Sequence, residues 1–180
     1  MKKVLSNSLT QWPFGLFLGV FVLLLDFGTK WLVVHFLPLH GDADMMQNST
    51  VVIFENFFGI KLSLTHTVNT GAAWGFFSEY SEVLLLFRIF FITGIIVYLS
   101  CCKVPPSWRL PFILIIAGAT GNVIDYFLYG SVVDMIHFVF WGYNYPVFNV
   151  ADSAIFIGTF SLLWITLFKK DYSHDTLSKQ

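Results

Sequence analysis

Charge is scarce in this sequence. Only 12% of its 180 residues are Asp, Glu, Lys or Arg, while 56% are hydrophobic; an ordinary soluble domain carries about a quarter charged residues. A chain so poor in charge cannot cover itself with a solvated surface, and its mean hydropathy of +0.71 points to lipid. The basic residues form no stripe and the formal net charge is −1, so no nucleic acid is expected as a partner. Cysteine is nearly missing, with two residues, adjacent at Cys101 and Cys102. Neighbouring cysteines rarely pair, and no CxxC or Cys/His spacing for zinc occurs. His66 and His137 stand in no HExxH motif, so neither a metal nor a cofactor is expected. GxSxG is absent as well, which removes the usual serine-nucleophile elbow. No repeat or low-complexity run divides the chain, and residues 1–180 are read as one membrane domain.

Long apolar runs are what the sequence has in abundance. Four reach the length of about 20 residues that a bilayer requires: 13–37, 83–102, 110–128 and 150–168. Pro13, Pro111 and the pair Pro105–Pro106 are placed at helix starts or between helices. The fold class is therefore a membrane-embedded bundle of four transmembrane helices. Lys2, Lys3, Lys103, Arg109, Lys169 and Lys170 flank the spans on one side, and the positive-inside rule puts that side and both termini in the cytoplasm. The opening "MKKVLSNSLTQWPFGLFLGVFVLLL" resembles a signal peptide, but "DFGTKWLVVHF" continues it without a cleavage site. It is read as a retained first span.

Both long connections then face outward. The first, about 40–82, contains "STVVIFENFFGIKLSLTHTVNTGAAWGFF", whose β-branched and aromatic runs broken by Asn, Gly and Thr predict short strands in a small sheet on the membrane surface. Phe57, Phe58, Trp74, Phe76 and Phe77 suit the interfacial zone. The second, between the third and fourth spans, is read as an aromatic extracytoplasmic loop.

This loop is bounded by two carboxylates that apolar surroundings do not explain, Asp134 in "VVDMI" and Asp152 in "NVADSA". The topology brings both to the same end of the bundle. Two carboxyls meeting in a low-dielectric site share a proton, which supplies one general acid and one general base. The plainer reading is a helix cap, which fits Asp152 at the start of the fourth span. In "AGATGNVIDYFLYG", Ala117, Gly118, Ala119 and Gly121 are small, and Ala117 with Gly121 form a small-xxx-small pair for close helix packing. Asn122 and Asp125 lie three apart on one face of that helix. Asp26 and Lys30, four apart in the first span, can neutralise each other, as a functional pair or as a structural one with Lys30 snorkelling. Asn69, Thr70 and Gly71 offer a turn whose backbone can hold an extended peptide.

Taken together, "DFGTK", "NTGAAWGFF", "GATGNVIDYFLYGSVVDMI" and "FNVADSAI", in this order and spacing, resemble the bacterial lipoprotein signal peptidases, also called type II signal peptidases. The resemblance implies a four-span aspartic endopeptidase of the inner membrane, with a periplasmic sheet as a cradle for substrate. It would cut prolipoproteins before a cysteine carrying diacylglycerol. The catalytic dyad would fall on Asp134 and Asp152, with Asp26, Lys30, Asn69, Gly71, Asn122, Asp125, Asn149 and Ala151 as supporting residues. Partners would be lipid-modified prolipoprotein signal peptides, membrane lipid and globomycin-type inhibitors, without a cofactor. Tyr126 departs from the pattern, because the family has Arg after "GNxxD"; a phenol offers one hydroxyl in place of a five-donor fork. Trp74 stands where Phe is commoner. Competing classes are a small proton- or ion-coupled transporter, against which stands the lack of repeated halves, and a structural membrane subunit, which would tolerate Ala at both dyad positions.

Overall fold

A computed structural model describes residues 2–39, 50–71 and 78–168, with the side chains of the first helix described from residue 13 onward. Four helices carry the chain: α1 (Lys2–Phe36), α2 (Ser81–Cys101), α3 (Pro106–Tyr129) and α4 (Val150–Phe168). Each holds a stretch long and apolar enough to cross a membrane. Their apolar residues run around the whole helix, so Leu86, Phe90, Phe127 and Phe156 are left on the outer surface, a pattern that is stable against lipid and not against water. α3 is the hub, packing on α1, α2 and α4. Two prolines sit differently from their expected places. Pro13 lies inside α1, and Pro111 lies inside α3, because α3 already begins at Pro106, capped by Pro105. Gly130, with φ 74°, ends α3 by donating its N–H to the Tyr126 carbonyl at 2.9 Å.

The contact between α3 and α4 is made by glycines. A Cβ on Gly118 would collide with the Ala151 carbonyl oxygen and come within 2.8 Å of Ile155; one on Gly121 would lie 2.7 Å from Asp26 Oδ2 and 3.3 Å from the Ala151 Cβ. The pair that admits α4 is thus Gly118 with Gly121, while Ala117 turns toward Gly19 of α1. The reason is geometric: positions three apart, and not only four, share a helix face.

A four-stranded antiparallel sheet completes the fold, in the order β1 (Thr50–Phe57), β2 (Ile60–Asn69), β3 (Val132–Phe140) and β4 (Tyr143–Asn144). Half of it comes from the connection read as a loop. "VVDMIHFVF" is a central strand, its first four residues all buried. A strand covered on both faces loses the period-two alternation by which strands are read from sequence. The sheet docks on the ends of α1 and α3, where Val33, Val133 and Met135 form a core with Leu37, Leu64, Tyr129 and Ile136. Phe57 and Phe58 are exposed, as expected, and Trp141 joins them at the neighbouring turn, its N–H donating to the Gly59 carbonyl at 2.9 Å. Trp74, Phe76 and Phe77 lie outside the described residues.

The glycine contacts predict opposite outcomes for one substitution. Gly118→Ala should destabilise the folded protein by about 1–3 kcal/mol through overpacking. Gly94→Ala, in α2 with nothing within 4 Å of its Cβ, should be neutral or stabilising by up to about 1 kcal/mol. Thermal unfolding in detergent reads both, and equal effects would contradict the close approach of α3 and α4.

Candidate active site

The site is built around one buried cation. Lys30 is 1% exposed, and its ammonium reaches Asp26 Oδ2 at 2.7 Å, Asp125 Oδ2 at 2.6 Å and Asn122 Oδ1 at 3.1 Å. Its three donors have three acceptors. Lys30 therefore does not snorkel; it ties α1 to α3. The i,i+4 spacing aligns it with Asp26, and the i,i+3 spacing brings Asn122 and Asp125 to it together.

Each carboxylate bound to Lys30 also holds main chain next to one of the candidate dyad residues. Asp125 Oδ2 accepts the N–H of Val133 at 3.1 Å, the residue before Asp134. Asp26 Oδ1 accepts the N–H of Ala151 at 2.8 Å, the residue before Asp152. One ion cluster thus fixes the backbone at two places that lie on a strand and on a helix.

At the start of α4 the cap is Asn149 and not Asp152. Asn149 Oδ1 accepts the N–H of Asp152 at 2.7 Å, and Asp152 Oδ2 accepts the N–H of Asn149 at 3.3 Å. This is a reciprocal capping box, with Asp152 at its third helical position. The box and the Asp26 contact satisfy N–H groups that the first turn of a helix leaves without intrahelical partners. The other oxygen of Asp152 remains directed into the site, where Asn122 Nδ2 donates to Oδ1 at 2.8 Å. Capping and a role in the site are therefore compatible for Asp152.

Asn149 also links the two aspartates. Its Nδ2 donates to Asp134 Oδ1 at 2.8 Å, with Asn122 Oδ1 at 3.1 Å and the Val133 carbonyl at 3.2 Å close by. The second oxygen of Asp134 accepts from Asn69 Nδ2 at 3.2 Å. Asn69 is oriented by Gly71, whose N–H donates to Asn69 Oδ1 at 3.0 Å, and the Gly71 carbonyl in turn accepts from Arg88 of α2 at 3.2 Å. Burial raises the Asp134 carboxyl to about 7, with the charge of Asp152 adding to the rise and hydrogen bonds from Asn69 and Asn149 opposing it. Near neutral pH the site is therefore disposed to hold a proton on Asp134, opposite the hydrogen-bonded Asp152.

A β-bulge sets the strand side of this arrangement. β2 and β3 pair in step from Ile60↔Phe140 to Leu64↔Ile136, then resume at Thr67↔Asp134, so three residues of β2 span two of β3. An unbroken ladder would put His66 opposite Asp134 and turn Asn69 to the other face. His66 instead holds the Leu37 carbonyl at the end of α1, at 3.0 Å.

The structure thus brings Asp26, Lys30, Asn69, Gly71, Asn122, Asp125, Asn149, the Ala151 amide, Asp134 and Asp152 into one network. Tyr126 stands apart from it, its hydroxyl 3.5 Å from Ser81 Oγ at the start of α2. One participant escaped the sequence reading: Arg88, visible there only as a lone cation in the second span. No cluster of three or more candidate metal ligands occurs among the described residues.

Comparison with known proteins places this geometry in context. Residues 18–168 match the family model described as signal peptidase (SPase) II. A lipoprotein signal peptidase of Geobacillus thermodenitrificans is 37% identical over 154 residues, covering 84% of this chain and 87% of that protein. One from Chlamydia pneumoniae is 36% identical over 144 residues, covering 78% and 83%. Among solved structures, a bacterial membrane enzyme determined by the in meso method at 2.3 Å resolution superposes with a TM-score of 0.72 at 29% identity, covering 90% of this chain and 92% of that one.

The cluster carries its own test. Lys30→Met leaves two buried carboxylates without their cation and should cost about 3–5 kcal/mol in thermal unfolding. Adding Asp26→Asn and Asp125→Asn to the same chain should restore most of that loss. A Lys30→Met protein that melts with the wild type would contradict the central role of the ammonium.

Proposed function

The chain belongs to the signal peptidase II family, a family of aspartic peptidases, and on that premise we propose that it removes signal peptides from lipid-modified prolipoproteins by hydrolysis at Asp134 and Asp152. The observation that carries this reading is the pairing of the two carboxyls through Asn149, with burial raising one of them to about 7. A carboxyl that keeps its proton near neutrality, set beside a second carboxyl, supplies an acid next to a candidate base.

In this scheme ionised Asp152 removes a proton from water, and the hydroxide oxygen bonds to the scissile carbonyl carbon. The proton on Asp134 passes to the carbonyl oxygen as its π bond opens. The tetrahedral intermediate then returns that proton to Asp134 and re-forms the carbonyl. The C–N bond breaks as the proton on Asp152 passes to the leaving amine of the lipid-bearing cysteine. The dyad ends as it began, and no metal or cofactor takes part. Asn69, Asn122 and Asn149 hold the two carboxyls, and Gly71, Ala151 and the Lys30 cluster hold the main chain around them. Tyr126 stays outside this machinery and braces α3 against α2.

The protein is a multi-pass membrane protein by its four spans. Its orientation follows in this proposal from Lys103 and Arg109 between α2 and α3, which place both termini in the cytoplasm and the dyad at the periplasmic face of a bacterial inner membrane. A substrate held there by its diacylglycerol would present the cleavage site at the membrane surface, beside the sheet. Bound membrane lipid and inhibition by globomycin belong to the same reading.

A gel-shift assay with a purified lipid-modified prolipoprotein tests it. Asp134→Asn and Asp152→Asn should each lower processing by at least about a thousandfold while thermal unfolding still shows a folded protein, and globomycin should inhibit the wild type. Full processing by either variant would overturn the dyad.

A further inference from the structure

Thr67 stands directly opposite Asp134 in the β2–β3 ladder. Side chains of such a pair share a face, with their Cβ atoms about 4.5–5.5 Å apart. Its hydroxyl is fully buried, and it finds no hydrogen-bond partner among the described residues. A native fold seldom leaves a buried hydroxyl unpaired, and each exception calls for an explanation, a catalytic role being one. The bulge between Leu64 and Thr67 exists on this same stretch, and it is what gives the face beside Asp134 to Thr67 in place of His66. Ser63, the other buried hydroxyl of β2 without a partner, lies before the bulge opposite His137. That β3 position has odd separation from Asp134 and faces away from it.

We propose that Thr67 is a catalytic residue of the signal-peptide hydrolysis described above, its hydroxyl donating a hydrogen bond to the scissile carbonyl oxygen as that oxygen gains charge. The proposal rests on the dyad reading. Asp134 delivers its proton to the carbonyl oxygen, and a second donor on the same strand-pair face reaches the same atom. Thr67 forms and breaks no covalent bond. A donor of this kind strengthens its bond as negative charge builds on that oxygen ahead of the proton from Asp134, so its loss lowers kcat and leaves KM nearly unchanged.

Two substitutions separate this from a role in the sheet. Valine keeps the shape of threonine and its strand preference but has no hydroxyl, whereas serine keeps the hydroxyl and is the poorer strand former. The full-length enzyme, purified in detergent, is assayed on a lipid-modified prolipoprotein with thermal unfolding measured alongside. Thr67→Val should lower kcat by about tenfold to a hundredfold, with KM within about twofold and an unfolding temperature at or above the wild type. Thr67→Ser should retain most of the wild-type kcat. Wild-type kcat in Thr67→Val overturns the proposal, and so does a Thr67→Ser enzyme that loses more than the valine variant. Asp134→Asn, run in parallel, keeps the two claims apart. An active Asp134→Asn enzyme removes the dyad and this inference with it, whereas an inactive one beside a fully active Thr67→Val removes this inference alone.

Discussion

The Lys30 ammonium, sealed between Asp26 and Asp125, is the interaction on which the rest of the site depends. Taking one cation and two carboxylates out of water is costly, and attraction repays it only when every remaining donor and acceptor is matched. Here they are: the third ammonium donor meets Asn122, and each aspartate accepts a main-chain N–H. Those two N–H groups belong to Val133 and Ala151, immediately before Asp134 and Asp152. The cluster therefore converts the packing of α1 on α3 into the placement of the two side chains proposed as the dyad, which come from different kinds of element. The glycines of α3 serve the same end, because Gly121 leaves room for Asp26 and Ala151 together.

The two aspartates are held by different physics. Asp152 lies in the first turn of α4, inside a capping box, where it accepts from the Asn149 N–H and from Asn122 Nδ2. Asp134 lies in a covered strand, where burial and the neighbouring charge favour the proton. A helix start and a buried strand thus give two residues of one type different surroundings. Asn149 is the physical link, since one amide group caps α4 with its oxygen and binds Asp134 with its nitrogen.

Much of this was legible in the sequence, for identifiable reasons. Hydropathy alone located four spans, because a bilayer imposes a length on helices. The helical spacings of Asp26 with Lys30 and of Asn122 with Asp125 put those groups on common faces. The family pattern named Asn69, Gly71, Asn149 and Ala151 as supporting residues. What stayed hidden depended on long-range pairing. β3 is buried on both faces over its first four residues and so shows no alternation that would separate it from a loop. Asn149 as the cap could not be told from Asp152, since both residue types cap helices well and the three-residue offset decides between them. The bulge in β2, and with it the position of Thr67, follows from register, which is a property of two strands together. Arg88 resembled any lone cation in a span until the Gly71 carbonyl was in place.

The central claim is that this framework makes Asp134 and Asp152 share a proton near neutral pH. Infrared difference spectroscopy of the wild type against Asp134→Asn, titrated from about pH 5 to pH 9, measures it directly. With the Asp134 carboxyl at about 7, the wild type should show a protonated-carboxyl band that is present at low pH, is lost through neutrality as pH rises, and is missing from the variant. A wild-type spectrum with no such band above pH 5 would mean that both carboxylates are ionised throughout, and it would contradict the shared proton.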